Sequence, residues 1–158
     1  MSAQLHAVDL SLRFRPMNEG DVGRVADIEA ESHLTPWTAG NFRDALHAGY
    51  GTMIAESAGQ LVGYGVLMLA PAEAQLLNLT VAPFWRRRGV GRALLRRLIA
   101  EARGRGAQQC FLEVRVSNTS AIALYRSESF SSIARRVGYY PAVEGREDAL
   151  VMRRALDA

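Results

Sequence analysis

Val81-Ala82-Pro83-Phe84-Trp85-Arg86-Arg87-Arg88-Gly89-Val90-Gly91-Arg92-Ala93-Leu94-Leu95 is the stretch whose reading decides the fold. The apolar run Leu76-Leu77-Asn78-Leu79-Thr80-Val81 precedes it and reads as a buried strand. Pro83 ends that strand, because it has no N–H to give to a ladder. After Gly91 the pattern turns helical, with Leu94, Leu95, Leu98 and Ile99 at three- and four-residue spacing. A strand therefore feeds a basic glycine loop, and the loop opens a helix. The first turn of a helix has unpaired N–H groups and the positive end of the macrodipole. Glycines let that backbone approach an anion, and guanidiniums can clamp phosphate oxygens. The stretch is expected to hold a phosphate or pyrophosphate.

Working outward, the spacing Arg86-x-x-Gly89-x-Gly91 rules out two common phosphate loops. A nucleotide-hydrolysing P-loop needs Lys-Ser or Lys-Thr after its last glycine, where Arg92-Ala93 stand. A dinucleotide fingerprint needs a third glycine where Leu94 stands. Taken alone, the stretch also reads as a solvated, arginine-rich turn.

With its context, Arg-x-x-Gly-x-Gly after a strand and before a leucine-rich helix resembles the acetyl-CoA signature of the GCN5-related N-acetyltransferases, the GNAT superfamily. Leu112-Glu113-Val114-Arg115, Asn118 and Ala121-Ile122-Ala123-Leu124-Tyr125 resemble the rest of that family's core. Tyr139-Tyr140-Pro141 and Gly145-Arg146-Glu147-Asp148-Ala149 resemble one branch, the ribosomal-protein-alanine N-acetyltransferases (RimI-like). The resemblance implies acetyl-CoA as cosubstrate and direct transfer to a protein N-terminal alanine, that of a small-subunit ribosomal protein. It also implies a sandwich with a mixed, mostly antiparallel sheet flanked by helices. For the cofactor, it implies the loop residues Arg86, Arg87, Arg88, Gly89, Val90, Gly91 and Arg92 on the pyrophosphate. Backbone contacts from Leu79, Thr80 and Val81, and Asn118, would hold the pantetheine arm. One departure stands out: Ser129 precedes Phe130 where the family has a glycine, so a serine must take a left-handed turn at a cost of order 1 kcal/mol.

At 158 residues, one domain over 1–158 is expected, with residues 1–10 as a candidate flexible extension. The formal charge is +3, and no apolar run is long enough to span a bilayer. Met1–Leu10 lacks the basic region and apolar core of a secretory signal. The single cysteine, Cys110, excludes an internal disulfide and fits a reducing cytoplasm. It sits in an apolar strand without a neighbouring histidine and reads as an inert thiol. His6, His33 and His47 show no metal-ligand spacing, so no metal is expected.

Taken in order, residues 11–15 alternate as a first strand, ended by Pro16. Asn18 can cap a helix through Val22, Val25, Ile28 and Glu29. Thr35-Pro36-Trp37-Thr38 breaks the chain before a short helix through Phe42, Ala45 and Leu46. Trp37 reads as core cover over the sheet; the resemblance puts this break near the acceptor groove. Residues 51–57 and 60–69 form a hairpin turning at Ala58-Gly59. Residues 74–81 add a strand, Gly104 and Gly106 end the long helix, and 109–116 return as a strand. Asn118 caps the next helix. Two last strands, near 131–137 and 147–153, enclose a loop holding Tyr139 and Tyr140. The order implies an α/β sandwich with a mixed sheet.

Glu113 lies in the apolar strand Phe111-Leu112-Glu113-Val114 and reads as an outward carboxylate or a partner of Arg115. The resemblance makes it the general base, with basicity raised by half-burial. Tyr125 reads as a core aromatic with its hydroxyl at the edge. The resemblance makes it the acid that protonates the departing thiolate, from a phenol of pKa about 10 to a thiol of about 8.5. Tyr139 and Tyr140 either wall the acceptor groove or cover the sheet, and Glu144, Glu147 and Asp148 could attract a basic tail. A lysine or small-amine acetyltransferase and a non-catalytic acetyl-CoA sensor are the alternatives. Arginines 86, 87, 88, 92, 96 and 97 could also form a nucleic-acid patch, but stacking aromatics are scarce and no nucleic-acid motif appears. Neither a specific nucleic acid nor a membrane is expected as partner.

Overall fold

The computed structural model describes residues 11–156, so the expected extension at residues 1–10 lies outside the described residues. The elements run β1 (Leu12–Arg15), a 3-10 turn (Glu19–Asp21), α1 (Val22–Ser32), α2 (Ala39–His47), β2 (Gly51–Ser57), β3 (Gln60–Ala70) and β4 (Glu73–Val81). A second 3-10 turn (Pro83–Trp85), α3 (Val90–Gly104), β5 (Gln109–Arg115), α4 (Thr119–Ser127), β6 (Ser131–Pro141) and β7 (Arg146–Ala155) follow. The strands form a mixed, mostly antiparallel sheet in the order β1-β2-β3-β4-β5-β7-β6, with β4 and β5 parallel. The chain divides into two compact units: residues up to Leu67 with Asn78–Leu98, and Met68–Leu77 with the chain from Ile99 onward.

In the first unit, β1, β2 and β3 pair antiparallel, and the β2–β3 turn places Ala58 and Gly59 at φ 51° and 78°. Two positive φ values in a two-residue turn match the strand twist. Along β3, Gly63 and Gly65 meet α3: a Cβ at Gly63 would lie 2.8 Å from Leu94 Cδ1 and 2.9 Å from the Thr80 carbonyl. Bare backbone at these positions lets Leu94 and Leu98 seat directly on the strand, where they are 0% and 1% exposed. Ala55, Val62, Val90 and Leu94 form a core cluster against which Phe14, Leu79, Val81 and Trp85 pack. The other face of β3 carries Tyr64, which meets Phe42 of α2 edge to face at 5.7 Å; Trp37 covers Phe42 at 5.1 Å. Trp37 is half-buried, in keeping with its reading as core cover.

At the start of α1, the Asn18 N–H donates to the Asp21 carboxylate at 2.8 Å. Arg15 of β1 grips the same carboxylate through two 2.7 Å bonds. This guanidinium holds Asp21 below the usual carboxylate range, with the Asn18 amide assisting against partial burial.

In the second unit, β5 and β7 pair without interruption from Gln109↔Ala155 to Arg115↔Ala149. β6 pairs with β7, but between Arg136↔Ala149 and Tyr140↔Glu147 it carries extra residues, with Gly138 at φ 59°. Asp148 fills that bulge, accepting from the Gly138 N–H at 2.8 Å and from Arg135 Nε at 2.6 Å. The sequence reading placed Tyr139 and Tyr140 in a loop; the bulge instead extends β6 to Pro141, so both are strand residues. Ser129 does adopt the left-handed turn, at φ 71°, and Phe130 N–H closes on the Tyr125 carbonyl at 3.0 Å.

Candidate active site

β4 alternates. Leu79 and Val81 pack toward the α3 core cluster, while Asn78 and Thr80 are buried on the opposite face. Beyond Pro83–Trp85 the basic loop reaches α3 with Arg87 at φ 62° and Gly89 at φ 84°. Ala93 N–H closes the first helical bond onto the Gly89 carbonyl at 3.1 Å. The N–H groups of Val90, Gly91 and Arg92 thus fall in the helix turn that lacks intrahelical acceptors. Among the flanking arginines, Arg88 lies over Phe84 and Trp85 at 5.0 and 5.3 Å, and Arg86 Nε donates to the Val81 carbonyl at 3.3 Å. A helix start whose first N–H groups have no intrahelical acceptor, backed by cationic side chains and a left-handed glycine, fits a pyrophosphate in donor type and charge.

In the second unit Glu113 projects from β5 and is half-buried. It forms an ion pair with Arg136 of β6 and accepts from the Tyr139 hydroxyl at 3.3 Å. The ion pair it makes is with Arg136, where the sequence offered an outward carboxylate or a partner of Arg115. Arg115 instead pairs with Glu147 at 2.8 Å and lies over the Tyr140 ring at 4.5 Å. Tyr139 and Tyr140 meet edge to face at 4.9 Å, and the Arg136 guanidinium lies over Tyr139 at 5.3 Å. A cleft of about 270 Å³ opens here, with Met68, Gln75, Phe111, Glu113 and Arg136 in its walls. Burial, then the charge of Glu113, pushes the Tyr140 phenol up to about 12.

Tyr125 is 8% exposed and packs on Phe130 at 5.8 Å. Burial pushes its phenol well above the usual value, so it stays protonated across the working range. Asn118 caps α4, accepting from Ala121 N–H at 3.3 Å, and is exposed, unlike Tyr125. Burial pushes the Cys110 thiol up to about 11, which makes it a poor nucleophile. Two acidic residues expected to attract a basic tail are engaged inside the protein. Glu147 holds Arg115 and the Ser117 N–H, and Asp148 holds Arg135 and Gly138. Their charge is balanced locally, which corrects that part of the sequence reading.

The sequence reading passed over a buried carboxylate in the first unit. Glu29 of α1 is 2% exposed and accepts from Tyr64 Oη at 2.7 Å, Asn78 Nδ2 at 3.1 Å and the Trp37 N–H at 3.0 Å. Val22, Val25, Ile28 and Glu29 share one helical stripe, so a charged residue on the buried face of α1 was the available signal.

One unit carries a strand–arginine/glycine loop–helix and the other, by itself, a carboxylate beside a cleft, and the class of protein is the acyl-group transferases. The chain belongs to the acetyltransferase (GNAT) family, whose model matches residues 22–130. It is 38% identical over 132 residues to the ribosomal protein bS18-alanine N-acetyltransferase of Escherichia coli strain K12, covering 84% of this chain and 89% of that protein. The crystal structure of the ribosomal-protein-S18-alanine N-acetyltransferase from Escherichia coli superposes with a TM-score of 0.88 at 34% identity, over 93% of this chain and 95% of that one. Ard1 from Thermoplasma volcanium superposes with a TM-score of 0.85 at 26% identity, over 94% and 100% of the two chains. Among the described residues, no helix is long and apolar enough to cross a membrane.

Proposed function

We propose that this acetyltransferase moves the acetyl group of acetyl-CoA to the N-terminal α-amine of a protein, with alanine first, on a small-subunit ribosomal protein. The observation that carries this reading is the 38% identity over 84% of the chain to an enzyme named for that acceptor. The Arg86–Arg92 loop and the first N–H groups of α3 take the pyrophosphate, Leu79–Val81 backbone and Asn118 take the pantetheine arm, and Trp37, Tyr139 and Tyr140 face the acceptor.

Glu113 receives a proton from the acceptor amine, and the freed electron pair attacks the thioester carbonyl. Arg136 and Tyr139 hold the carboxylate in one orientation for that step. Tyr125 supplies a proton to the leaving thiolate. Burial keeps that phenol protonated but also makes it a weaker acid, so transfer depends on a thiolate equally deprived of water. An α-amine has a pKa near 7.7–8.0 against about 10.4 for lysine, so near neutral pH it is by far the easier amine to deprotonate.

The test is competition between two basic peptides, one with a free alanine N-terminus and one blocked at the N-terminus with an internal lysine. Selective acetylation of the first is expected. Equal or faster acetylation of the lysine peptide overturns the reading in favour of a lysine acetyltransferase, and acetyl-CoA binding without transfer to either peptide favours a sensor.

A further inference from the structure

Glu29 holds both ends of the connection between α1 and α2. Its backbone carbonyl accepts from the N–H of His33, the first residue past α1, at 3.1 Å. Its carboxylate Oε2 accepts from the N–H of Trp37, the residue before the α2 cap Thr38, at 3.0 Å. The other oxygen, Oε1, accepts from Tyr64 Oη at 2.7 Å and from Asn78 Nδ2 at 3.1 Å, and His33 Nε2 stands 3.6 Å from it. Every hydrogen-bond partner of the side chain donates, so both oxygens serve as acceptors, which is what a carboxylate offers. The segment 33–37 thus has its first and last N–H groups on one residue of the helix before it.

The side chain of Trp37 is fixed by a second route. Its ring packs on Phe42 at 5.1 Å, Phe42 meets Tyr64 edge to face at 5.7 Å, and Tyr64 returns to Glu29. These contacts close a circuit through Glu29, Trp37, Phe42 and Tyr64, which holds the tryptophan by its backbone at one point and by its ring at another. Thr38 and Asn41 lock the next turn by exchanging bonds of 2.9 and 3.1 Å. Connecting segments ordinarily run over the surface with their backbone groups on water, and lose freedom when they bind. Here the last N–H of the segment reaches a carboxylate that is 2% exposed. A bond to a charged acceptor is stronger than one between neutral groups, and a buried donor or acceptor left alone is costly. The segment is therefore set before any ligand arrives.

We propose that Glu29 is a positioning residue for the acceptor. Without touching substrate, it holds Trp37 as a preformed wall, and so governs how tightly the acceptor peptide binds rather than how fast the acetyl group moves. The inference rests on the reading above in which Trp37 faces the acceptor. All the groups it uses lie in the first unit, and Glu113 remains the proton acceptor of the reaction. A preformed wall gives up less conformational freedom on binding, so its loss appears in KM.

The experiment compares Glu29→Gln with Tyr64→Phe by amide hydrogen exchange and by kinetics with the alanine peptide. In Glu29→Gln the amide oxygen can serve Tyr64 and Asn78, which leaves the amide nitrogen facing the Trp37 N–H; the opposite choice forfeits two bonds to keep one. Tyr64→Phe takes a donor from the same buried carboxylate and leaves the bond to Trp37, so it controls for damage to the core. A slow Trp37 amide is expected in the wild type. Expected for Glu29→Gln are Trp37 exchange at least about tenfold faster, a peptide KM at least about fivefold higher, and kcat and acetyl-CoA affinity within about twofold of wild type. Tyr64→Phe should lower the unfolding midpoint and keep wild-type Trp37 exchange and peptide KM. Where Glu29→Gln does not fold, Glu29→Asp keeps the charge, withdraws it by one methylene, and is expected to give the same split. A wild-type KM alongside a fast Trp37 amide overturns the proposal, as does a fall in kcat at unchanged KM or an equal rise of KM in Tyr64→Phe. Equal Trp37 exchange in wild type and variant assigns its protection to other contacts and also overturns it. A wild type that binds acetyl-CoA but transfers to no peptide, with a slow Trp37 amide, instead faults the acceptor reading and withdraws the role built on it.

Discussion

Tyr139 donates its hydroxyl to Glu113 Oε1 at 3.3 Å because the β6 bulge turns Tyr139 to the β5 carboxylate. Gly138 at φ 59°, pinned by Asp148, sets that turn. Glu113→Gln keeps the shape and removes the basicity, so kcat should fall roughly 10²-fold or more while acetyl-CoA binding is retained. Tyr139→Phe removes one orienting bond and leaves the Arg136 ion pair, so a smaller fall of about three- to tenfold is expected. Steady-state kinetics of both variants checks the order; near-normal kcat in Glu113→Gln would falsify its role as base.

At the other end of the chemistry, Gly91 occupies the second position of α3, among N–H groups without intrahelical acceptors. Gly91→Asp places a carboxylate where an anion is proposed to bind. Acetyl-CoA affinity should fall at least tenfold, about 1.4 kcal/mol, in a variant whose far-ultraviolet dichroism is unchanged. Calorimetry showing wild-type affinity in that folded variant sinks the pyrophosphate assignment.

What the sequence showed and what it hid differ by range of interaction. The Ala58-Gly59 turn, the Asn118 cap and the strand into the Arg86–Gly91 loop were legible because each is written in a few adjacent residues. The β6 bulge was not, because it is made by Asp148 and Arg146 reaching back to Gly138 from the next strand. Arg136 as the partner of Glu113 and the convergence of Tyr64, Asn78 and Trp37 on Glu29 were hidden for the same reason. Strand register, and not sequence spacing, brings those groups together.

Ser129 tests the reading of local strain. Its φ of 71° places a Cβ in the left-handed region, and Phe130 and Glu128 close the α4 end around it. Ser129→Gly relieves that strain at some gain in unfolded-chain entropy, so a net stabilisation of up to about 1 kcal/mol is expected. Urea unfolding should show a higher midpoint with an unchanged slope. A lower midpoint would mean the serine hydroxyl contributes more than its backbone geometry loses.

The acid limb of stability should depend on Asp21. Its folded carboxyl is held below the ordinary 3.8 by the Arg15 guanidinium first, with the Asn18 amide adding to it against partial burial. A depressed folded value means the unfolded chain binds the proton more readily. The contribution is therefore complete above the unfolded value, declines as the pH drops below about 4, and is lost below the folded value. Arg15 stays charged across this window, so the change belongs to the carboxylate. Asp21→Asn removes two charge-assisted bonds to Arg15 and should lower stability near neutral pH by about 2 kcal/mol. It should also flatten the fall in stability between about pH 4 and the folded value, because the variant has no proton to take up there. Urea midpoints of both proteins at a series of pH values decide the matter. Parallel curves would assign the acid sensitivity to other carboxylates and leave Asp21 with a geometric role alone.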